Sequence, residues 1–413
     1  MNKIVVNGGR PLSGEVRVSG SKNASLPLIF ATMLTRGTSI LQNVPRIGDV
    51  FVALDILSEL GAKISFEENR LIINTESLEY YSPSRELISK IRASTYLIGA
   101  SLARFGKFEL TDFGGCSFSS RPIDLHIKSA ISLGAKMVDN TLLAEDLVGT
   151  EIRLEKPSVG ATINTLIMAA AASGKTEIYG FAKEPHVFSI IDYLKSIGAD
   201  ITVTDEKITV KESYLTPTEF SVIGDMIEAG TYIIFAIITG GEIKVSGFDT
   251  CELSSLLSVL SDMGFSLFAG DDFIMAKGEK ASKLKSGYPH IIADPYPGFP
   301  TDLQPIMAPL LAMNFGGVII DNVWQGRFGY LDSLSNFGLK FSRKNSSAKI
   351  EKSIFQSGTS TCTDLRGGAA CLIAALASDG RSEIHSPEII LRGYEKIIEK
   401  LKSLGADVKL VKM

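Results

Sequence analysis

Six segments of this chain share one layout: an amphipathic run, a glycine, then a short stretch of alternating apolar residues. They read LDILSELGAKISF, IKSAISLGAKMV, IIDYLKSIGADITV, LLSVLSDMGFSLF, LDSLSNFGLKF and IIEKLKSLGADVKLV. Their glycines are Gly61, Gly134, Gly198, Gly264, Gly338 and Gly405, spaced 64 to 74 residues apart. Apolar positions three and four apart predict a helix before each glycine. The period of two predicts a strand after it. The glycine stops the helix in the left-handed conformation that other residues enter only at a cost. The period is long for a solenoid, so the repeat predicts an α/β chain of two globular domains with three units each. An even division puts the crossover near residues 224–228.

Each unit carries a second helix of another kind. These are SKNASLPLIFATML, IRASTYLIGASLARFG, SVGATINTLIMAAAASG, DMIEAGTYIIFAIITG, TDLQPIMAPLLAMNFG and DLRGGAACLIAALASDG. They are apolar on nearly every face and rich in small residues, which predicts buried, closely packed helices. Their starts hold Lys22 and Asn23, Arg92, Ser158 with Gly160, Glu228, Asp302, and Asp364 with Arg366. Ser, Asp and Asn at such places are ordinary caps. Lysine and arginine oppose the helix dipole there, so Lys22, Arg92 and Arg366 require another reason, and a bound anion supplies one.

Composition narrows the function. The net charge of −4 opposes a general basic field for nucleic acid, while leaving room for a local basic pocket. No apolar run reaches the roughly 18 residues that a bilayer requires. The opening MNKIVVNGGRPLSGEV reads as strand and turn, so a cytoplasmic location is the expectation. Cys116, Cys251, Cys362 and Cys371 have no CxxC spacing, which predicts neither a zinc ribbon nor a disulfide framework. ASGKT at 172–176 lacks the earlier glycine of a P-loop and follows a helix. It reads as a helix end and a turn.

The stretch GGCSFSSRPIDLHI, residues 114–127, puts a lone cysteine after two glycines and five residues before an arginine. Around it stand SGSKNASLP at 19–27, RAS at 92–94, LARFG at 102–106, SVGAT at 158–162, FPTDLQ at 299–304, RF at 327–328, TDLR at 363–366 and RGYE at 392–395. In this order and spacing, over essentially the whole chain, these motifs resemble the enolpyruvyl transferases. The resemblance implies a two-domain, inside-out α/β barrel of six βαβαββ-like repeats. The first domain is expected over 20–227. The second is expected over 1–19 plus 228–413, with the active site in the cleft between them.

The reaction it implies moves the enolpyruvyl group of phosphoenolpyruvate to the 3-hydroxyl of UDP-N-acetylglucosamine. Phosphate leaves, and no metal or redox cofactor takes part. Cys116 is implied as the proton donor on a lid hinged at Gly114 and Gly115, with Arg121 stabilising its thiolate; fosfomycin is then the expected covalent inhibitor. Asp302 is the implied base, a helix cap being the alternative. Lys22, Arg121 and Arg392 match the residues that hold the phosphate, and Arg327 and Arg366 those on the carboxylate side. Asn23 matches an amide that contacts the adduct. Asp364 matches a carboxylate near the reacting carbon, or else serves only to orient Arg366. For the uridine nucleotide the matches are Arg92, Arg121, Pro122, Ile123, Asp124 and Leu125 on one wall. Lys156, Pro157, Ser158, Val159 and Gly160 match the other, and Val323 matches a backbone contact to the sugar. His126 reads as structural.

Four places depart from the pattern. Tyr96 replaces a tryptophan, Gln325-Gly326 an acidic-Asn pair, and Leu391 an aspartate, and the lid reads CSFSSR. They leave open a paralogue that uses another uridine nucleotide, or a non-catalytic nucleotide-binding relative. The shikimate branch of the family carries a GNAGTAxR stretch that this chain lacks.

Overall fold

The computed structural model describes residues 2–114, 122–279 and 288–412. They form two compact units. One holds residues 2–19 and 224–412, the other the described residues between 20 and 223. Each has its own hydrophobic core.

All six stop glycines have positive φ, between 87° and 112°. Each lies two or three residues beyond a helix end, as after Gly48–Glu59, Pro185–Ser196 and Tyr330–Ser335. The chain then turns back through an Ala or another small connection into a strand, such as Lys63–Glu67 or Asp200–Val203. Burying the apolar side of each helix contributes roughly 1.5–3 kcal/mol per fully buried Leu, Ile or Val.

The second set of helices is sunk in the cores. Met226–Thr239, Gln304–Asn314 and Leu365–Ala377 pack on one another in the unit holding 224–412. Lys22–Ala31, Leu97–Phe105 and Val159–Ala171 lie in the other core. The helix after Arg92 differs in one detail from expectation. Arg92–Tyr96 is a 3₁₀ segment, and the α-helix begins only at Leu97. ASGKT is the end of Val159–Ala171, a turn at Gly174 and the start of the strand Lys175–Tyr179.

Among the described residues the strands make six separate sheets, five of four strands and one of three. The barrel walls of the expectation therefore take the form of three sheets per unit. The four-stranded ones repeat one order. In His290–Ala293, Gly317–Asp321, Ser347–Ile350, Phe341–Lys344 the first pair is parallel and the others antiparallel. Two of the parallel edge strands are exchanged. Ser13–Arg17, which precedes the helix Lys22–Ala31, pairs with Glu242–Ser246. Glu219–Ser221, which precedes Met226–Thr239, pairs with Thr38–Gln42. The strand Asn2–Gly8 fills an inner position of its sheet, antiparallel to both Gly380–His385 and Asp407–Lys412. Among the described residues no helix is long and apolar enough to cross a membrane.

Candidate active site

Asp302 sits in the turn before the helix Gln304–Asn314, whose cap residue is Leu303. The helix-cap alternative for Asp302 is thus replaced by another arrangement. Its Oδ1 accepts from Arg327 Nη1 at 2.9 Å. Its Oδ2 accepts from Arg366 Nε at 3.2 Å and Nη2 at 3.1 Å. The two arginine side chains are only 6% and 2% exposed, the aspartate 27%. Such a carboxylate is the counter-charge that keeps two buried guanidiniums tolerable. A carboxylate has about four lone-pair sites, so Asp302 keeps acceptor capacity on its exposed side.

Arg366 also lies over the Tyr394 ring, 5.2 Å from its centroid, and Tyr394 shares a 3.0 Å hydrogen bond with Thr231. Burial disfavours the Arg366 charge. Tyr394, Asp302 and Asp225 outweigh it and hold the pKa above the ordinary arginine value. Asp364 caps the helix Leu365–Ala377, its Oδ1 accepting from the backbone N–H groups of Arg366 and Gly367. It thus bonds the backbone of Arg366, while the guanidinium bonds Asp302. Arg327 Nη1 also donates to Thr301 Oγ1 at 3.0 Å. Val323 lies in the turn after the strand Gly317–Asp321, and Arg392 directly follows the short helix Glu388–Leu391.

In the other unit, Lys22 opens the helix Lys22–Ala31 behind the cap Ser21. Its Nζ is 2.8 Å from Asp49 Oδ2, a buried acid in the first turn of Gly48–Glu59. Lys22 and Arg366 at helix starts are therefore offset by carboxylates of the protein itself. Asn23 follows Lys22 in the same turn and is half-buried.

Burial lowers the pKa of Arg92. With its charge nearby, the buried His126 ring is pushed down to about 4, by desolvation first. His126 is thus neutral at pH 7. Asn164 Oδ1 accepts from Gly99 N, and its Nδ2 donates to Thr95 O, which fixes the amide orientation. The same Nδ2 lies 2.7 Å from His126 Nδ1, making that atom the acceptor. The edge of the ring faces the start of Val159–Ala171, where a Cβ on Gly160 would stand 2.9 Å from Cε1. Ser158 caps that helix through Ala161 N. Lys156 and Pro157 are exposed in the turn before it. Pro122 and Ile123 lead into Asp124–Ser132, with Asp124 in its first turn and Leu125 buried. Cys116 and Arg121 lie outside the described residues.

Sequence reasoning missed Asp49, Thr301, Asp321, Tyr394 and Asn164. It also missed the role of Glu228. Buried at 3% exposure, Glu228 pairs with Lys400 at 2.6 Å and accepts from Ser19 N at 2.8 Å. Close by, Glu252 is pushed up to about 8, chiefly by burial and then by Asp249 and Asp225. Folded Glu252 keeps its proton where the unfolded carboxyl, near 4.5, has lost it. Stability is therefore lost as pH rises from about 4.5 to about 8. Glu252→Gln is expected to change nothing near pH 4 and to add about 1–3 kcal/mol at pH 8, read from urea midpoints at both pH values.

Solved structures share the fold over the full chain. The enolpyruvyl transferase NikO from Streptomyces tendae superposes with a TM-score of 0.89 at 24% identity, covering 100% of this chain and 99% of its own. EPSP synthase from Acinetobacter baumannii gives 0.73 at 19% identity, covering 100% of both. The fold is that of the two-domain enolpyruvyl transferases. Residues 6–401 match the family model described as EPSP synthase (3-phosphoshikimate 1-carboxyvinyltransferase). UDP-N-acetylglucosamine 1-carboxyvinyltransferase 3 of Caldanaerobacter subterraneus subsp. tengcongensis is 40% identical over 99% of both chains. UDP-N-acetylglucosamine 1-carboxyvinyltransferase 1 of Streptococcus agalactiae is 39% identical over 100% of both. With identities of this size over the full length, the chain belongs to the family of UDP-N-acetylglucosamine 1-carboxyvinyltransferases.

Proposed function

We propose that this enzyme transfers the enolpyruvyl group of phosphoenolpyruvate to the 3-hydroxyl of UDP-N-acetylglucosamine, a step of peptidoglycan precursor synthesis. The full-length identity to proteins of that name carries the reading. The chemistry of the described side chains supports it. The acceptor oxygen bonds to C2 of phosphoenolpyruvate while C3 gains a proton, giving a tetrahedral adduct. Loss of phosphate from C2 and of a proton from C3 restores the double bond on the new ether.

Asp302 accepts the proton of the hydroxyl from its exposed side. Cys116 supplies the proton to C3. Lys22, Arg121 and Arg392 hold the phosphate, Arg327 and Arg366 the carboxylate side, with Asn23 and Asp364 against the adduct. Cations gathered this way offset the phosphate and carboxylate charges of phosphoenolpyruvate as the diphosphate of the nucleotide is brought beside them. Arg92, Pro122, Ile123, Asp124 and Leu125 form one wall of the nucleotide pocket. Lys156, Pro157, Ser158, Val159 and Gly160 form the other, and Val323 meets the sugar. Both substrates are cytoplasmic metabolites, and the enzyme is assigned to that compartment.

Phosphate release measured with phosphoenolpyruvate and a panel of UDP-sugars and UMP tests this. Turnover is expected with UDP-N-acetylglucosamine, and turnover only with another uridine nucleotide would redirect the acceptor assignment. Incubation with fosfomycin and the nucleotide sugar is expected to add one drug mass to the peptide holding Cys116. An unmodified peptide would remove Cys116 from the mechanism.

A further inference from the structure

Asp321 ends the strand Gly317–Asp321 and is 0% exposed. Nothing in its sequence context marks it. Yet both of its oxygens are committed, and to two different tasks. Oδ1 accepts from the backbone N–H of Val323 at 3.0 Å and of Trp324 at 2.8 Å. Oδ2 accepts from the Thr301 hydroxyl at 2.6 Å.

The direction of the second bond follows from chemistry. A carboxylate offers only acceptors, so Thr301 must spend its one proton on Asp321. The lone pairs of Thr301 are thereby left for Arg327 Nη1 at 3.0 Å, and the same nitrogen donates to Asp302 at 2.9 Å. Burial raises the pKa of Asp321, and the bonds from Thr301 and from the Trp324 and Val323 backbone, together with the charge of Arg327, oppose that rise.

We propose that Asp321 is a positioning residue for both halves of the reaction. Through the turn at Val323 it sets the backbone that meets the acceptor sugar. Through Thr301 and Arg327 it sets the carboxylate of Asp302 that takes the proton of that sugar's hydroxyl. One buried side chain thus fixes base and acceptor in a common frame. The inference rests on Asp302 being the base.

The two arms can be cut separately. Thr301→Val keeps the shape of the side chain and removes the relay hydroxyl. Misplacing a reacting group by a fraction of an ångström to an ångström costs about tenfold to a hundredfold in rate. Thr301→Val is expected to lower kcat about tenfold or more while KM for UDP-N-acetylglucosamine stays within about twofold. Thr301→Ser, which restores the hydroxyl, is expected to recover kcat. Asp321→Ala is expected to lower kcat and to raise that KM several-fold. Adding Thr301→Val to it should cost little more in kcat, since the relay is already broken.

A Thr301→Val enzyme with undiminished kcat overturns the proposal. So does a Thr301→Ser enzyme as slow as Thr301→Val, because packing and not the hydroxyl would then be at work. Asp302→Asn separates this from the parent reading. An Asp302→Asn enzyme with full turnover removes Asp302 as the base. An inert one beside a fully active Thr301→Val removes the relay alone.

Discussion

Asp302→Ala is expected to lower turnover by about 10²–10⁴-fold, the range that a general base supplies. It should also weaken the fold. Arg327 and Arg366 would be left facing each other across the vacated position, and removing one member of a buried charge cluster costs about 3–5 kcal/mol. Asp302 is 27% exposed, and water entering its place reduces that loss to about 2–3 kcal/mol. Asp302→Asn preserves the volume and one acceptor oxygen, so it should lose activity with a smaller loss of stability. Phosphate-release kinetics and urea unfolding on both variants measure the two effects. An Asp302→Asn enzyme within about tenfold of the unaltered one would contradict the assignment.

Lys400→Met carries the largest expected effect on stability. Glu228 would keep its burial and lose its cation. About 3–5 kcal/mol should be lost at pH 7, measured by urea unfolding. The pKa of Glu228 is already raised by burial, with Lys400 acting in the opposite direction. Without Lys400 it rises further. The penalty of Lys400→Met should therefore grow as pH rises above the usual carboxyl value and shrink toward pH 4, where Glu228 takes up a proton. Lys400→Met with Glu228→Gln removes both charges and should recover most of the loss. A double variant no better than the single one would show that the Lys400 side chain matters through its packing.

The repeat was legible because its signals are local. A period of three to four, a glycine and a period of two lie within one short segment, and Gly61, Gly198 and Gly405 alike adopt the backbone that the pattern demands. The buried helices were legible from the same kind of signal. Pairing between distant strands was not. Nothing in Ser13–Arg17 says that its neighbour is Glu242–Ser246, because a strand's partner is a property of the assembled sheet.

The site divided along the same line. Asp302, Arg327 and Arg366 were found through motifs, and the structure brings these three together. Their supporting side chains carry no local mark. Asp49 reads as a first-turn acid, Thr301 as a turn residue and Asp321 as a strand end. Each acquires meaning only from a partner remote along the chain. The same blindness hid the partner of Lys22. A cation at a helix start demands a negative neighbour, and the sequence could not say that Asp49 already supplies one.

The strand Asn2–Gly8 has Lys3 opposite His385 on one side and Val411 on the other. During synthesis the chain between Gly8 and Gly380 must emerge before either neighbour does. At about 5–20 residues per second, the strand waits roughly 20–80 s for a partner. Throughout that interval Ile4, Val5 and Val6 have no sheet to enter. Nascent-chain handling by chaperones is therefore expected to concentrate on Asn2–Gly8, while the unit built from the described residues between 20 and 223 can fold as it emerges.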